Sequence, residues 1–176
     1  MAPYLEAAGF DQDRAIRLYL WNVMVGQSFH FPLQATEVAL RNSIGAVFYD
    51  NWGEKWWRES VARTFLSERA VDDLIEARKR IRKRGIVPTA DEIVSRLSFG
   101  FWASTMAPRY KKSIWSTRLN NAFPYIPNGI GQDAIYSRIN KALDLRNRIF
   151  HHEPLLGMNL SGNYSDLMAL LKAICP

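Results

Sequence analysis

From Pro32 to Tyr49 the apolar residues Leu33, Val38, Leu40, Ile44, Val47 and Phe48 gather on one face of an α-helical repeat. Comparable helical spacing returns between cap signals along most of the chain. No segment alternates apolar and polar residues over a useful strand length. Such a chain buries its apolar faces by packing helix against helix. The expected fold is an all-α bundle of about seven helices with mostly short loops. At 176 residues the chain is one ordinary domain, 1–176, with no internal repeat or low-complexity segment.

The boundary signals divide the chain as follows. Asp11 or Asp13 caps a first helix through RAIRLYLWNVMV, and a second runs from about Pro32 to Tyr49 until Asn51 and Gly53 interrupt it. After the aromatic stretch EKWWRES, Ser67 caps a helix that runs to Arg84, with Gly85 as its C-cap. Thr89 and Glu92 form a capping box for one helix through IVSRLSFGFWASTM, and Pro108 suits the first turn of the next. AFPYIPNGIGQD reads as a loop. A long helix follows from Asp133 to about His152, ended by Pro154, and a last one spans Tyr164 to Ile174.

Hydrophobic residues make up 48% of the chain, including six Trp, seven Tyr and nine Phe, enough for a core without disulfides or a structural metal. The single cysteine, Cys175, excludes an internal disulfide framework and a zinc site built on several thiolates, and it suits a reducing cytoplasm. MAPYLEAAGFDQD has no basic region followed by an apolar run, and no eighteen apolar residues occur in succession, so a cytoplasmic protein without a membrane partner is expected. A net charge of +6 and a pI near 9.6 favour a polyanionic partner.

Several clusters invite chemistry. GIGQDA at 129–134 matches a loose dinucleotide pattern but lacks the preceding strand, and it reads as a loop entering a helix. Between Arg78 and Arg84 every residue but Ile81 is basic: Arg78, Lys79, Arg80, Arg82, Lys83 and Arg84. This run is either a solvated last turn complementing the helix dipole or a docking surface for phosphates. His151, His152 and Glu153 do not suggest a metal, because neighbours on a helix diverge by about 100° and the other histidine, His30, sits in a loop-like FHFP. No Ser or Cys occupies an activating turn.

RNRIFHHEP, 146–154, is the densest cluster. On a helical projection Arg146 falls among Ile135, Ile139, Ala142, Leu143, Ile149 and Phe150, so its guanidinium needs a carboxylate, a set of acceptors or a polar cavity. Glu37 and Arg41 likewise share a face with Leu33, Leu40, Ile44 and Phe48. Two explanations stand: a buried ion-pair network fixing helix register, or a pocket where one carboxylate orients two arginines and leaves positive charge for a phosphate. Asn147 and His151 share a face, whereas Arg146 and His151 diverge by about 140°, so a joint phosphate site is easier where two copies of the helix meet about a twofold axis.

R-N-R-I-F-H resembles the R-x4-6-H motif of HEPN domains, and LRNRIFHHEPL resembles the Abi-like branch, named for abortive-infection proteins. LYLWN at 18–22, EVALRN at 37–42 with YDNWGEKWW after it, and LSFGFWASTMAPRYKKSIWSTRLNNAFP at 97–124 agree, so the resemblance spans nearly the whole chain. It implies an all-α HEPN bundle, dimeric, with the motif helices of two subunits forming a cleft for metal-independent RNA cleavage without a cofactor. It also implies Arg146 as the motif arginine, Asn147 as the polar residue after it and His151 as the motif histidine, with His152 second. Glu37 and Arg41 would support the pocket, and the basic run would touch RNA. The expected partners are RNA, a second copy of the chain, and an antitoxin protein or small RNA. The alternative is a non-catalytic HEPN module that binds RNA, nucleotide or a protein.

Overall fold

The architecture hangs on one long helix, α2, Gln12–Trp52, of 41 residues, a rod about 60 Å long at the ordinary helical rise. It is seen in a computed structural model that describes residues 1–175. Asp11 caps its start by accepting the Arg14 backbone N–H at 2.8 Å, and Gly53, at φ +78°, ends it. The helix passes unbroken through Pro32, which corrects the expectation of two helices separated at FHFP. Proline in a helix interior costs about 3 kcal/mol, partly through the lost hydrogen bond to the carbonyl four residues earlier. Phe29, Leu33, Leu40 and Ile44 lie on the buried side before and after it. Burying such side chains is worth about 1.5–3 kcal/mol each, so packing outweighs the break signal.

Eight further helices complete the described residues: α1 Ala2–Ala7, α3 Glu59–Ala62, α4 Glu68–Lys83, α5 Ala90–Arg96, α6 Phe99–Thr105, α7 Ser116–Ala122, α8 Gln132–Phe150 and α9 Leu160–Ile174. A 3₁₀ turn at Pro108–Tyr110 and a π-helical turn at Lys111–Trp115 lead into α7. No strand occurs among the described residues, and seven of the helices are at least seven residues long, so the all-α expectation holds. α9 packs on α2 and α8, α6 lies between α4 and α8, and α5 rests on α2 and α4. The short α1 docks on the start of α2 through Tyr4, Ala8 and Ala15. Among the described residues no helix is long and apolar enough to cross a membrane.

The segment IVSRLSFGFWASTM forms two helices rather than one. Leu97 is extended, and the Ser98 hydroxyl accepts the Phe101 N–H at 3.1 Å, a cap that restarts the chain as α6. The break lets Leu97, Phe99, Phe101 and Trp102 all bury. Thr89 caps α5 by accepting the Glu92 N–H at 3.2 Å. Ser67 occupies the cap position of α4 without a side-chain cap bond; its backbone N–H donates instead to the Tyr110 hydroxyl. GIGQDA is a loop entering α8, and the buried Gln132 amide donates to the Met106 and Ala107 carbonyls, fixing that entrance.

The Trp-rich blocks are core. Trp56 and Trp102 are fully buried around Phe48, and Trp52 stacks on Phe65 with ring centroids 3.9 Å apart. Such pairs add about 0.5–1.5 kcal/mol to the burial itself.

Candidate functional site

α8 ends at Phe150, two residues earlier than the helix expected from Pro154. His151 is its C-cap, and His152 adopts a left-handed conformation at φ +56°. The Glu153 N–H donates to the Arg148 carbonyl at 2.8 Å and the His152 N–H to the Ile149 carbonyl at 3.2 Å. These two bonds make a Schellman ending, a position that glycine usually fills. The helix therefore stops by closing its own carbonyls before Pro154 is reached.

Arg146 stands at the edge of the buried face of α8, not in its middle. Ile135, Ile139, Ala142, Leu145 and Ile149 form that face, while Leu143 is half-buried and Phe150 exposed. The arginine side chain retains 33% exposure. Its Nε lies 4.0 Å from a Glu37 carboxylate oxygen, beyond hydrogen-bond range, and is buried without an acceptor. One Nη donates to the Asn147 side-chain oxygen at 3.4 Å, and the guanidinium carbon sits 4.6 Å from the centre of the Phe150 ring. A cavity of about 230 Å³ opens here, lined by His30, Leu33, Gln34, Glu37, Arg146 and Phe150.

Glu37 and Arg146 thus come together as the sequence suggested, but Arg41 does not join them. Its Nε is buried without a hydrogen-bond partner, and it does not line the cavity, so one carboxylate does not orient two arginines. His151 is exposed at the helix end and also outside the cavity. His152 faces a neighbouring cavity of about 230 Å³, with Tyr19, Asn22, Gly26 and Leu155. Within one chain, Arg146 and His151 share no cavity, as their angular separation on the helix implied.

The histidine that does line the Arg146 cavity is His30. Its ring centre lies 5.3 Å from that of Phe150, and it lines the His152 cavity too. A loop-like reading of FHFP hid it. On an unbroken α2, His30, Gln34, Glu37 and Arg41 share one face at about 100° per residue, and that periodicity was the available signal.

Towards the N-terminus Ile16 and Val23 lie on this face, and Gln27, Leu20, Phe31 and Met24 extend it sideways to about 120° from His30. Here the apolar side chains are uncovered: Phe31 is 78% and Met24 69% exposed. On the opposite side Ala15, Asn22, Gly26 and Phe29 are buried. The N-terminal half of α2 is therefore apolar on both sides, a pattern that suits burial on both. Asn22 anchors the end of the motif segment, accepting the Leu155 N–H at 2.7 Å.

The basic run divides. Lys79 bonds Glu76 at 2.7 Å, and its ammonium holds that carboxyl below its usual range. Arg80 faces Asp73, Glu76 and Arg96 across a separate hollow. Lys83 and Arg84 are exposed beside Gly85. Arg78 and Arg82 instead line the groove between α3 and α4. Among the described residues no three His, Cys, Asp or Glu side chains stand close enough to hold a metal ion.

Scans against protein-family models, curated proteins and solved structures found no match to this chain.

Proposed function

We propose that the chain is an Abi-like HEPN protein, a metal-independent endoribonuclease of phage-defence or toxin type that works as a homodimer. The observation that carries this reading is the Arg146 cavity together with its setting. A partly exposed arginine, a carboxylate and a histidine line a cavity whose floor helix carries, beside that face, an uncovered apolar stripe. A second copy packed on that stripe would bring its own α8 end beside the cavity.

In this reading His151 of one protomer takes the proton of a ribose 2′-hydroxyl, and the 2′-oxygen bonds to the adjacent phosphorus. The bond to the 5′-oxygen breaks, and His151 of the partner subunit gives that oxygen a proton. A 2′,3′-cyclic phosphate and a 5′-hydroxyl result, and DNA is not cut. Each proton transfer contributes roughly 10²- to 10⁴-fold. Arg146 stabilises charge developing on the phosphate, with Glu37 orienting it and Asn147 fixing its outer edge. His152 is second choice for the histidine role. An antitoxin protein or a small RNA would restrain the activity.

The second reading is a HEPN module that binds RNA, nucleotide or protein without cleavage. It is favoured by the contacts that already engage Arg146: Phe150, Asn147 and the nearby Glu37. Incubation with single-stranded RNA and an all-deoxy control in EDTA, alongside Arg146→Ala and His151→Ala, separates the two. Cleavage of RNA alone, lost in both variants, supports the nuclease. RNA left intact, or variants as active as the parent, removes it.

A further inference from the structure

We propose that the groove between α3 and α4 binds the phosphodiester backbone of a single-stranded nucleic acid, RNA and DNA alike, through Arg58, Arg78 and Arg82. The groove is a hollow of about 590 Å³, and it shares no lining residue with the Arg146 cavity. The proposal rests on the groove alone and does not depend on the ribonuclease reading.

Four arginines line it, and they are not equivalent. Arg63 is held by Glu59 at 3.0 Å and by Glu68, and these carboxylates raise its already high pKa, Glu68 most. Arg58, Arg78 and Arg82 have no carboxylate within 4 Å among the described residues. Arg78 is half-buried even so. Glu59, the one acid in the lining, is already engaged by Arg63. Three guanidinium groups thus line the groove with no carboxylate within 4 Å among the described residues, Arg58 with its guanidinium carbon 6.0 Å from the centre of the Trp57 ring.

Their placement suits a strand. Arg78 and Arg82 lie one turn apart on α4, and Arg58 faces them from the start of α3. Contact from two sides at separate levels fits successive phosphates better than one small anion, and each planar fork can grip a phosphate with two N–H groups. Trp57 closes the wall; it is 7% exposed, and its indole N–H is buried without an acceptor. The remaining lining is charged or Ser60, which offers no apolar pocket for the side chains of an acidic peptide. A phosphodiester backbone needs only charge and donors. Since these groups read phosphate rather than sugar, the groove is expected to bind RNA and DNA with similar affinity.

Fluorescence anisotropy of labelled oligouridine and oligodeoxythymidine tests this, performed in an Arg146→Ala background so that cleavage cannot intervene. Arg58→Glu and Arg82→Glu are expected to weaken both probes at least about tenfold and to reduce the salt slope by roughly one per lost contact. Lys79→Glu and Lys83→Glu, the same charge change outside the groove, are expected to do much less. Equal losses in all four variants would mean diffuse attraction and overturn the site. So would absence of binding at low salt, stronger groove-dependent binding of ATP than of the oligonucleotides, or displacement by polyglutamate as effective as by unlabelled DNA. All four positions are exposed, and unchanged circular dichroism would show that the variants fold.

Discussion

Arg146 meets its surroundings as an aromatic face, an amide oxygen and a carboxylate just out of hydrogen-bond range, none of which fully satisfies it. A pair this loose and this exposed contributes little to folding, about 0–1 kcal/mol. Glu37→Gln is accordingly expected to leave the urea midpoint almost unchanged. If Glu37 orients the arginine, RNA cleavage by that variant falls at least about tenfold, read as initial rate on labelled RNA. His152 makes the opposite case. Its left-handed backbone is strained for a β-carbon, so His152→Gly is expected to stabilise the fold by about 0.5–1 kcal/mol in urea denaturation. Cleavage retained in that variant would leave His151 as the motif histidine; cleavage lost would transfer the role. The sequence made Arg146 and Glu37 legible because charge on an apolar helical face is conspicuous. It could not fix the depth of Arg146, which depends on where α9 and α2 cover α8. His30 was hidden for a simpler reason: a proline two residues away suggested a break.

Helix α2 is where local signals and tertiary packing disagree. Pro32 lacks the donor that the Ser28 carbonyl needs, yet the chain stays helical because its buried residues on both sides of the proline belong to one packed face. Pro32→Ala is expected to raise stability by about 1 kcal/mol or more, measured by thermal or urea unfolding, since it restores a hydrogen bond at a conformation alanine adopts freely. Close packing has its own mark further along. A β-carbon on Gly45 would meet a Val94 methyl at 3.0 Å, so α5 approaches α2 where a side chain would intrude. Gly45→Leu is expected to cost about 1–3 kcal/mol by forcing the two helices apart. Capping residues read from sequence fared unevenly at this scale. Asp11 and Thr89 cap as their positions suggest, whereas Ser98, inside an apparently continuous apolar segment, decides the boundary between α5 and α6.

At the scale of the molecule, the uncovered stripe from Ile16 to Phe31 governs what assembly is expected. A second copy covering it would account for the exposed Ile16, Leu20, Val23, Met24 and Phe31 on a side of α2 that no other element of the chain covers. Replacing Leu20 and Met24 together by Asp is expected to give a monomer by light scattering with unchanged helical circular dichroism. Cleavage should vanish with the dimer; a monomer that still cuts RNA would contradict the shared site. The sequence by itself determined the helical class, the starts of α2, α4, α5 and α8 and the residues whose charge conflicts with their face, because periodicity and capping are local. Only the tertiary structure decided that Pro32 does not break α2, that Arg41 stands apart from Glu37, that His30 joins Arg146, and that the basic run splits between paired and unpaired cations. The first three outcomes depend on which distant element packs against the residue, and burial against a distant element has no period along the chain; in the last, Lys79 pairs with Glu76 on its own helix while Arg78 and Arg82 meet the segment before α3.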